Sequence, residues 1–354
     1  MTTYDKVFTA EGSPNIAFIK YWGKRDEKLI LPYNSSLSMT FSHETFNTLT
    51  SVMFSKKLSE DIFYIGGQRQ DLKDSDVSER FGVIDLLRKM AGSEEKAMVV
   101  SKNNFPTASG LASSASGIAT LVYAASSALE LNLTSREMSI IARQGSGSAC
   151  RSIFGGISIW NRGEKPDGSD SFAEQAFDEN HWPELVDEVI VVSQEKKKVP
   201  SRAGMRQTVE TNPLFTSRPE AAAKRLAIIT EAFRNRDMHV LSECMMADSN
   251  EMHALMLSTR PSIRYLNNVS FSIMAAIEEL NAQEGRNIAG YTFDAGPNAN
   301  VVTTSENKSK VLDALRPLQE DNSILYIKES KAGEGPKILG DSYSLIDEET
   351  LKPR

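Results

Sequence analysis

Lysine, arginine and tyrosine crowd one short stretch of this chain, NIAFIKYWGKRDEKLILPYNSSLSMT at 15–40, where Tyr21 and Trp22 stand between Lys20 and the pair Lys24 and Arg25. Cationic groups beside a phenol suit a diphosphate, which accepts charge-assisted hydrogen bonds of about 1.5–3 kcal/mol each. The residue types alone read more readily as a solvated basic edge strand. A second stretch, PTASGLASSASG at 106–117, stands directly before an alanine-rich run. Its glycines let backbone N–H groups approach an anion, and a helix start adds unpaired donors and the positive end of the dipole. Ser113 and Ser114 add hydroxyls there, although the same pattern describes a capped helix whose small residues pack closely. No Gly-Lys-Ser or Gly-Lys-Thr closes the stretch, so it is not a Walker A loop. GSGSACRSIFGG at 145–156 fails the dinucleotide pattern, because Cys150 stands where the last glycine is required, and Arg151 alone reads as a structural ion pair. YTFDAGPNA at 291–299 puts Asp294 at the end of an apolar strand before a Gly-Pro turn, where a carboxylate is held rigidly for proton transfer or closes an Asx turn.

The elements that must position these groups follow from periodicity. Short apolar runs at 52–54, 61–65 and 97–101 read as strands between longer helix-like segments, an α+β pattern. Helices are expected over 113–131 and, capped by Thr134 or Ser135, over 134–144, followed by a strand at 157–160. Residues 161–181 read as a surface connection, and 188–193 as a strand. The run 195–198 with Pro200 and Gly204 suggests a loop before a mainly helical region, 219–253. A helix over 270–282 and a strand–turn–strand over 291–303 complete the second half. In DSNEMHALML at 248–257 the methionines read as core and His253 as a packed or capping residue. The polar tail from Lys337 is expected to pack only in part. A boundary near residue 190 divides the chain into 1–190 and 191–354.

At 354 residues the chain is long enough for two domains joined across a cleft, and its 40% hydrophobic and 25% charged residues are those of an ordinary globular protein. A net charge of −7 argues against nucleic-acid binding while leaving room for a local cationic cluster, since screening limits distant charges to about 10 Å. Cys150 and Cys244 lie too far apart in sequence to suggest a disulfide framework or a zinc site. No apolar run approaches the roughly 18 residues of a spanning helix, and MTTYDKVFTAEGS carries neither a signal core nor an arginine-rich transit pattern. The reading is a soluble, cytoplasmic protein with no membrane partner.

The stretch at 106–117 resembles the phosphate loop of the GHMP kinase superfamily, whose pattern is Pro, three variable residues, then Gly-Leu-Gly-Ser-Ser-Ala. Ala112 replaces the second glycine, as in the decarboxylase branch, and Ser109 stands where alanine is more usual. The phrases at 15–40, 145–156 and 291–299, in that order, resemble the diphosphomevalonate decarboxylase family, and KKVPSRAGM at 197–205 resembles its substrate-side loop. The resemblance implies an amino-terminal domain like ribosomal protein S5 domain 2 and a ferredoxin-like carboxy-terminal domain, with ATP and Mg²⁺ as cofactors and a homodimeric state. It implies phosphorylation of the 3-hydroxyl of mevalonate 5-diphosphate, then loss of phosphate and carbon dioxide to leave isopentenyl diphosphate. Relatives acting on mevalonate 5-phosphate, or on mevalonate 3,5-bisphosphate without ATP, carry similar phrases; a mevalonate 3-kinase or a non-enzymatic sensor fits the residues less well. By the same resemblance Asp294 accepts or orients the hydroxyl proton, Arg151 clamps the substrate carboxylate with help from Asn15, and Lys20 neutralises charge near the reacting phosphate. Tyr21, Lys24, Ser146, Ser148, Ser201 and Arg202 hold the rest of the phosphorylated mevalonate. Ser101, Asn103, Pro106, Ser109, Gly110, Leu111, Ala112, Ser113 and Ser114 cradle the nucleotide, with Ser114 beside the metal.

Overall fold

The structure, a computed structural model, describes residues 5–105, 113–195 and 197–354. The expected ligands Pro106, Ser109, Gly110, Leu111 and Ala112 lie outside the described residues. Helices are labelled α1 (Ser75–Ala91), α2 (Ser113–Ala128), α3 (Ser135–Gly145), α4 (Ser201–Thr211), α5 (Arg218–Asn235), α6 (Met238–Ser258), α7 (Asn268–Gln283) and α8 (Lys308–Glu320).

Three sheets carry the architecture. The first runs, from edge to edge, Lys337–Leu339, Phe8–Gly12, Thr48–Ser55, Lys96–Asn103, Ile62–Ile65 and Gln68–Arg69. Its pairings are antiparallel except that between Ile62–Ile65 and Lys96–Asn103. Ala119, Val122 and Ala125 of α2 pack on Val52, Phe54 and Val99 of this sheet. The alanine-rich sequence allows that close approach, because small side chains lose little entropy in a helix and leave room for the sheet's branched ones. Helix α3 starts where expected, with Thr134 accepting from the Glu137 backbone and the Glu137 carboxylate closing the capping box.

The second sheet, in the order Ala173–Phe177, Ile157–Trp160, Ser36–Thr40 and Asn15–Ile19, lies between the two halves of the chain. Ile16, Phe18, Leu37 and Met39 bury one face against Ile229, Phe233 and Met245 of α5 and α6. The third sheet is antiparallel, in the order Ala289–Phe293, Ala299–Thr304, Leu185–Val191 and Tyr326–Ser330, and α7 and α8 cover it through Ile273, Ile277, Val311 and Leu315. This is the expected α+β architecture.

Several local expectations are corrected. Residues 15–25 are not a solvated edge: Lys20 and Trp22 are fully buried and Lys24 nearly so. The stretch 161–181 contains the strand Ala173–Phe177, paired with Ile157–Trp160. The expected loop at Pro200 and Gly204 is the start of α4, where proline sits just before the first turn and needs no donor. A Cβ at Gly204 would lie 3.0 Å from the Tyr265 hydroxyl and 3.3 Å from Trp22, so this glycine serves close packing rather than a turn. Residues 337–354, expected with the second half, return to the first sheet: Lys337–Leu339 pairs with Phe8–Gly12, and Ile346 is buried against Val7 and Met53. No helix among the described residues is long and apolar enough to cross a membrane.

Candidate active site

Strand Asn15–Ile19, the turn after it, the 3-10 segment Gly147–Ile153, the ends of α2 and α4, and the residue after strand Ala289–Phe293 enclose one cavity of about 540 Å³. Asn15, Lys20, Tyr21, Lys24, Ser113, Ser114, Ser146, Ser148, Arg151, Ser201, Arg202 and Asp294 all line it. A pocket of this size accommodates a small phosphorylated ligand, and its convergent polar groups fix orientation.

Asp294 follows the buried strand directly, and the Lys20 ammonium donates to its Oδ1 at 2.7 Å. Asp294 Oδ2 has no hydrogen-bond partner among the described residues, and the side chain is 30% exposed, facing the cavity. Burial lowers the pKa of Lys20, and the neighbouring Asp294 and Asp248 oppose that effect. Arg151 is held from one side only. Its Nε donates to Ser38 Oγ at 2.9 Å and Asn15 Oδ1 at 3.3 Å, and Nη1 donates to Ser36 Oγ at 2.7 Å. Nη2 has no hydrogen-bond partner among the described residues. No carboxylate pairs with Arg151 among the described residues either, so the structural ion pair that its residue type suggested is not formed. Burial lowers the arginine's pKa, and Cys150 and Asp294 oppose it. A buried guanidinium without an anion is costly, and a ligand carboxylate would relieve that cost.

Asn15 lines the cavity and braces Arg151: its amide donates to Ser148 O at 3.1 Å and Ser152 Oγ at 2.7 Å while its oxygen accepts from the guanidinium. The Tyr21 ring stands edge-on to Trp160, 4.7 Å between centroids, and its burial, reinforced by Glu27, raises its pKa and keeps the phenol a donor. Lys24 pairs with Glu27. Arg25 turns away, donating to the carbonyls of Arg162 and Gly163 at 3.3 and 3.1 Å. Arg202 crosses the mouth, bonding Glu79 of α1 at 2.9 Å and the Gly145 carbonyl at 2.5 Å.

A second hollow, of about 90 Å³, shares Arg80, Ser113 and Ser114 with the first and is lined by Ile65, Phe81, Val99, Ser101 and Asn103. Ser101 and Asn103 are fixed by Thr50 Oγ1 at 2.9 Å and Thr48 Oγ1 at 2.8 Å. This largely apolar hollow opens onto the start of α2, whose free N–H groups and positive dipole end suit the phosphates of a nucleotide. Among the described residues no three acidic, His or Cys side chains converge. Mg²⁺ held chiefly by phosphate oxygens and water takes one or two protein donors, and the Ser114 hydroxyl, 3.3 Å from Ser146 Oγ, fits that part.

Sequence reasoning passed over Lys197, which lines the cavity, donates to Ser201 Oγ at 3.2 Å and has its pKa lowered by burial against the pull of Asp294. Its place in a run of surface-like lysines hid it, although it opens the phrase KKVPSRAGM that resembles the substrate-side loop.

A two-domain α+β protein with a cation-lined interdomain cleft and a helix N-terminus facing it has the GHMP kinase-type fold. Two domain families match it: the diphosphomevalonate decarboxylase-like N-terminal domain over residues 12–173 and the mevalonate 5-diphosphate decarboxylase C-terminal domain over residues 188–338. The chain belongs to the diphosphomevalonate decarboxylase family. It is 39% identical over 386 residues to the diphosphomevalonate decarboxylase of Debaryomyces hansenii, covering 99% of this chain and 98% of that one. Among solved structures, mevalonate diphosphate decarboxylase from Trypanosoma brucei superposes with a TM-score of 0.89 at 36% identity, over 97% of this chain and 100% of that one. The structure of MDDEF in complex with MVAPP, AMPPCP and magnesium does so with a TM-score of 0.84 at 38% identity, over 94% and 98%.

Proposed function

We propose that this protein catalyses the ATP-dependent decarboxylation of mevalonate 5-diphosphate to isopentenyl diphosphate. The observation that carries the reading is a single cavity in which Asp294, paired to Lys20, and the half-partnered Arg151 face the same space. ATP supplies the phosphoryl group that turns the 3-hydroxyl into a leaving group, and Mg²⁺ offsets the phosphate charge. Asp294 orients the tertiary hydroxyl and takes its proton, while Lys20 keeps the carboxylate in one geometry. Arg151 grips the carboxylate of the substrate until the C–C bond breaks; its electron pair forms the C–C double bond as phosphate departs, and carbon dioxide leaves. Tyr21, Lys24, Ser146, Ser148, Ser201, Arg202 and Lys197 hold the diphosphate and the mevalonate chain. Ser101, Asn103, Ser113 and Ser114 hold the nucleotide, with Ser114 toward the metal.

Carbon dioxide release is measured from mevalonate 5-diphosphate, mevalonate 5-phosphate and mevalonate 3,5-bisphosphate, each with and without ATP and Mg²⁺. Release from the 5-diphosphate only with ATP is expected; release from the bisphosphate without ATP, or from the 5-phosphate alone, overturns the reading. A cytoplasmic homodimer that binds no nucleic acid is part of the same proposal, supported by the family resemblance and the net charge of −7. Sedimentation of the purified protein at twice the monomer mass supports it, and a monomer at micromolar concentration does not.

A further inference from the structure

We propose that the buried Arg218–Asp248 pair and Ser249 form a positioning device that sets the contact between Lys20 and Asp294. The proposal rests on the reading of Asp294 as the proton acceptor. Lys20 and Asp294 are far apart in sequence and come from different sheets, yet consecutive residues of α6 hold both. Asp248 Oδ2 accepts from the Lys20 backbone N–H at 2.7 Å, and Ser249 Oγ accepts from the Phe293 N–H, immediately before Asp294, at 3.0 Å. Arg218 locks the first grip. It binds Asp248 with two parallel bonds, Nη1 to Oδ1 at 2.7 Å and Nη2 to Oδ2 at 2.8 Å, and Nη2 also donates to the Lys20 carbonyl at 3.0 Å. Both backbone groups of Lys20 are thereby fixed to α5 and α6, and Asn34 adds a second donor to the carbonyl at 3.0 Å.

Arg218, Asp248 and Ser249 are all 0% exposed and do not line the cavity, so none touches a ligand. A bidentate guanidinium–carboxylate pair is geometrically rigid. One turn further along α6, His253 Nε2 lies 3.4 Å from the Phe293 carbonyl, a second hold on the same strand end. Errors of about 1 Å in placing a reacting group cost about a hundredfold in rate, which gives such a jig a function beyond stability.

Two variants and two readouts test it. Ser249→Ala removes one hydrogen bond from the Asp294 side; Asp248→Asn keeps an acceptor for Lys20 but weakens the Arg218 lock and can fail to fold, in which case Ser249→Ala decides alone. The first readout is kcat against KM with mevalonate 5-diphosphate and ATP. A fall in kcat of about ten- to a hundredfold with KM within about threefold supports the device, and an unchanged kcat overturns it. The second readout, taken without substrate, is the pH titration of the Lys20 ammonium by ¹⁵N-lysine NMR. The charged groups facing Lys20 are Asp294, Asp248 and Arg151, with Asp187, Arg218 and His253 nearby. Loosening the Asp294 contact removes a stabiliser of the ammonium, so its midpoint drops by about one pH unit relative to the unaltered protein. An unmoved midpoint in Ser249→Ala overturns the device, and because this readout needs no turnover, it stands whether or not the unaltered protein releases carbon dioxide.

Discussion

Two cation–aspartate pairs meet at Lys20 and have opposite characters. Arg218–Asp248 is shut: both side chains are 0% exposed, and Asp248 accepts from Arg218, Arg225 and the Lys20 backbone. Lys20–Asp294 is open on one side, the lysine 2% exposed and the carboxylate 30% exposed toward the cavity. The chemistry of the partners is alike, and the separations are both 2.7 Å. Access distinguishes them, and so does the fork of Arg218, which binds both oxygens of Asp248 where Lys20 binds one of Asp294. A buried pair whose carboxylate oxygens are both engaged resists any change of geometry or charge, which suits a support. A pair with one oxygen left for a ligand gives a charge whose position is fixed but whose hydrogen-bonding capacity is unfilled, which suits catalysis. Asp248→Ala should therefore break the fold: it leaves Arg218 buried without its anion and costs about 3–5 kcal/mol of stability, read from urea denaturation. A loss under about 1 kcal/mol would mean the shut pair is no support.

Asp294→Asn should do the reverse. Turnover falls at least about a thousandfold, roughly 4 kcal/mol in barrier, while the denaturation midpoint stays near that of the unaltered protein and nucleotide still binds. Near-normal turnover would remove Asp294 from the chemistry and erase the contrast. Arg151→Gln tests the other one-sided group. Its anchors Ser36, Ser38 and Asn15 remain, but the guanidinium edge facing the cavity is lost, so kcat/KM falls by about 10- to 100-fold, the worth of one charge-assisted hydrogen bond. Unchanged steady-state constants would contradict the carboxylate clamp.

The open pair was legible in sequence and the shut one was not. Asp294 sits in a phrase whose apolar strand and Gly-Pro turn have a local signature, and Lys20 stands in a cationic cluster; each could be singled out alone, though their contact could not. Asp248 and Ser249 lie mid-helix between methionines, where period 3.6 signals only which face is buried. Nothing local marks Asp248 as the partner of Lys20, 228 residues earlier, or Ser249 as the partner of Phe293, 44 residues later. The same limit explains α4, whose Pro200 and Gly204 are turn residues by type but here precede a first turn and admit Trp22 and Tyr265. It also explains the tail: Leu345 and Ile346 are a short apolar pair in a polar stretch, and only the groove beside Val7, Met53 and Met98 makes Ile346 core.

The smallest expected effect probes where the shut pair meets solvent. Arg225 reaches Asp248 Oδ1 at 3.1 Å and also pairs with Glu251, but its side chain is 21% exposed, against 0% for Arg218. Water competes for its donors, so Arg225→Gln should cost only about 0.5–1 kcal/mol. Salt separates the two arginines more sharply than magnitude does. The Debye length shrinks from about 10 Å at 0.1 M to about 3 Å at 1 M, so the Arg225→Gln loss should shrink between those concentrations. The Asp248→Ala loss, arising in a region that ions do not enter, should persist. Equal salt sensitivity of the two losses would show that solvent reaches Asp248, and that the rigidity assigned to it has another source.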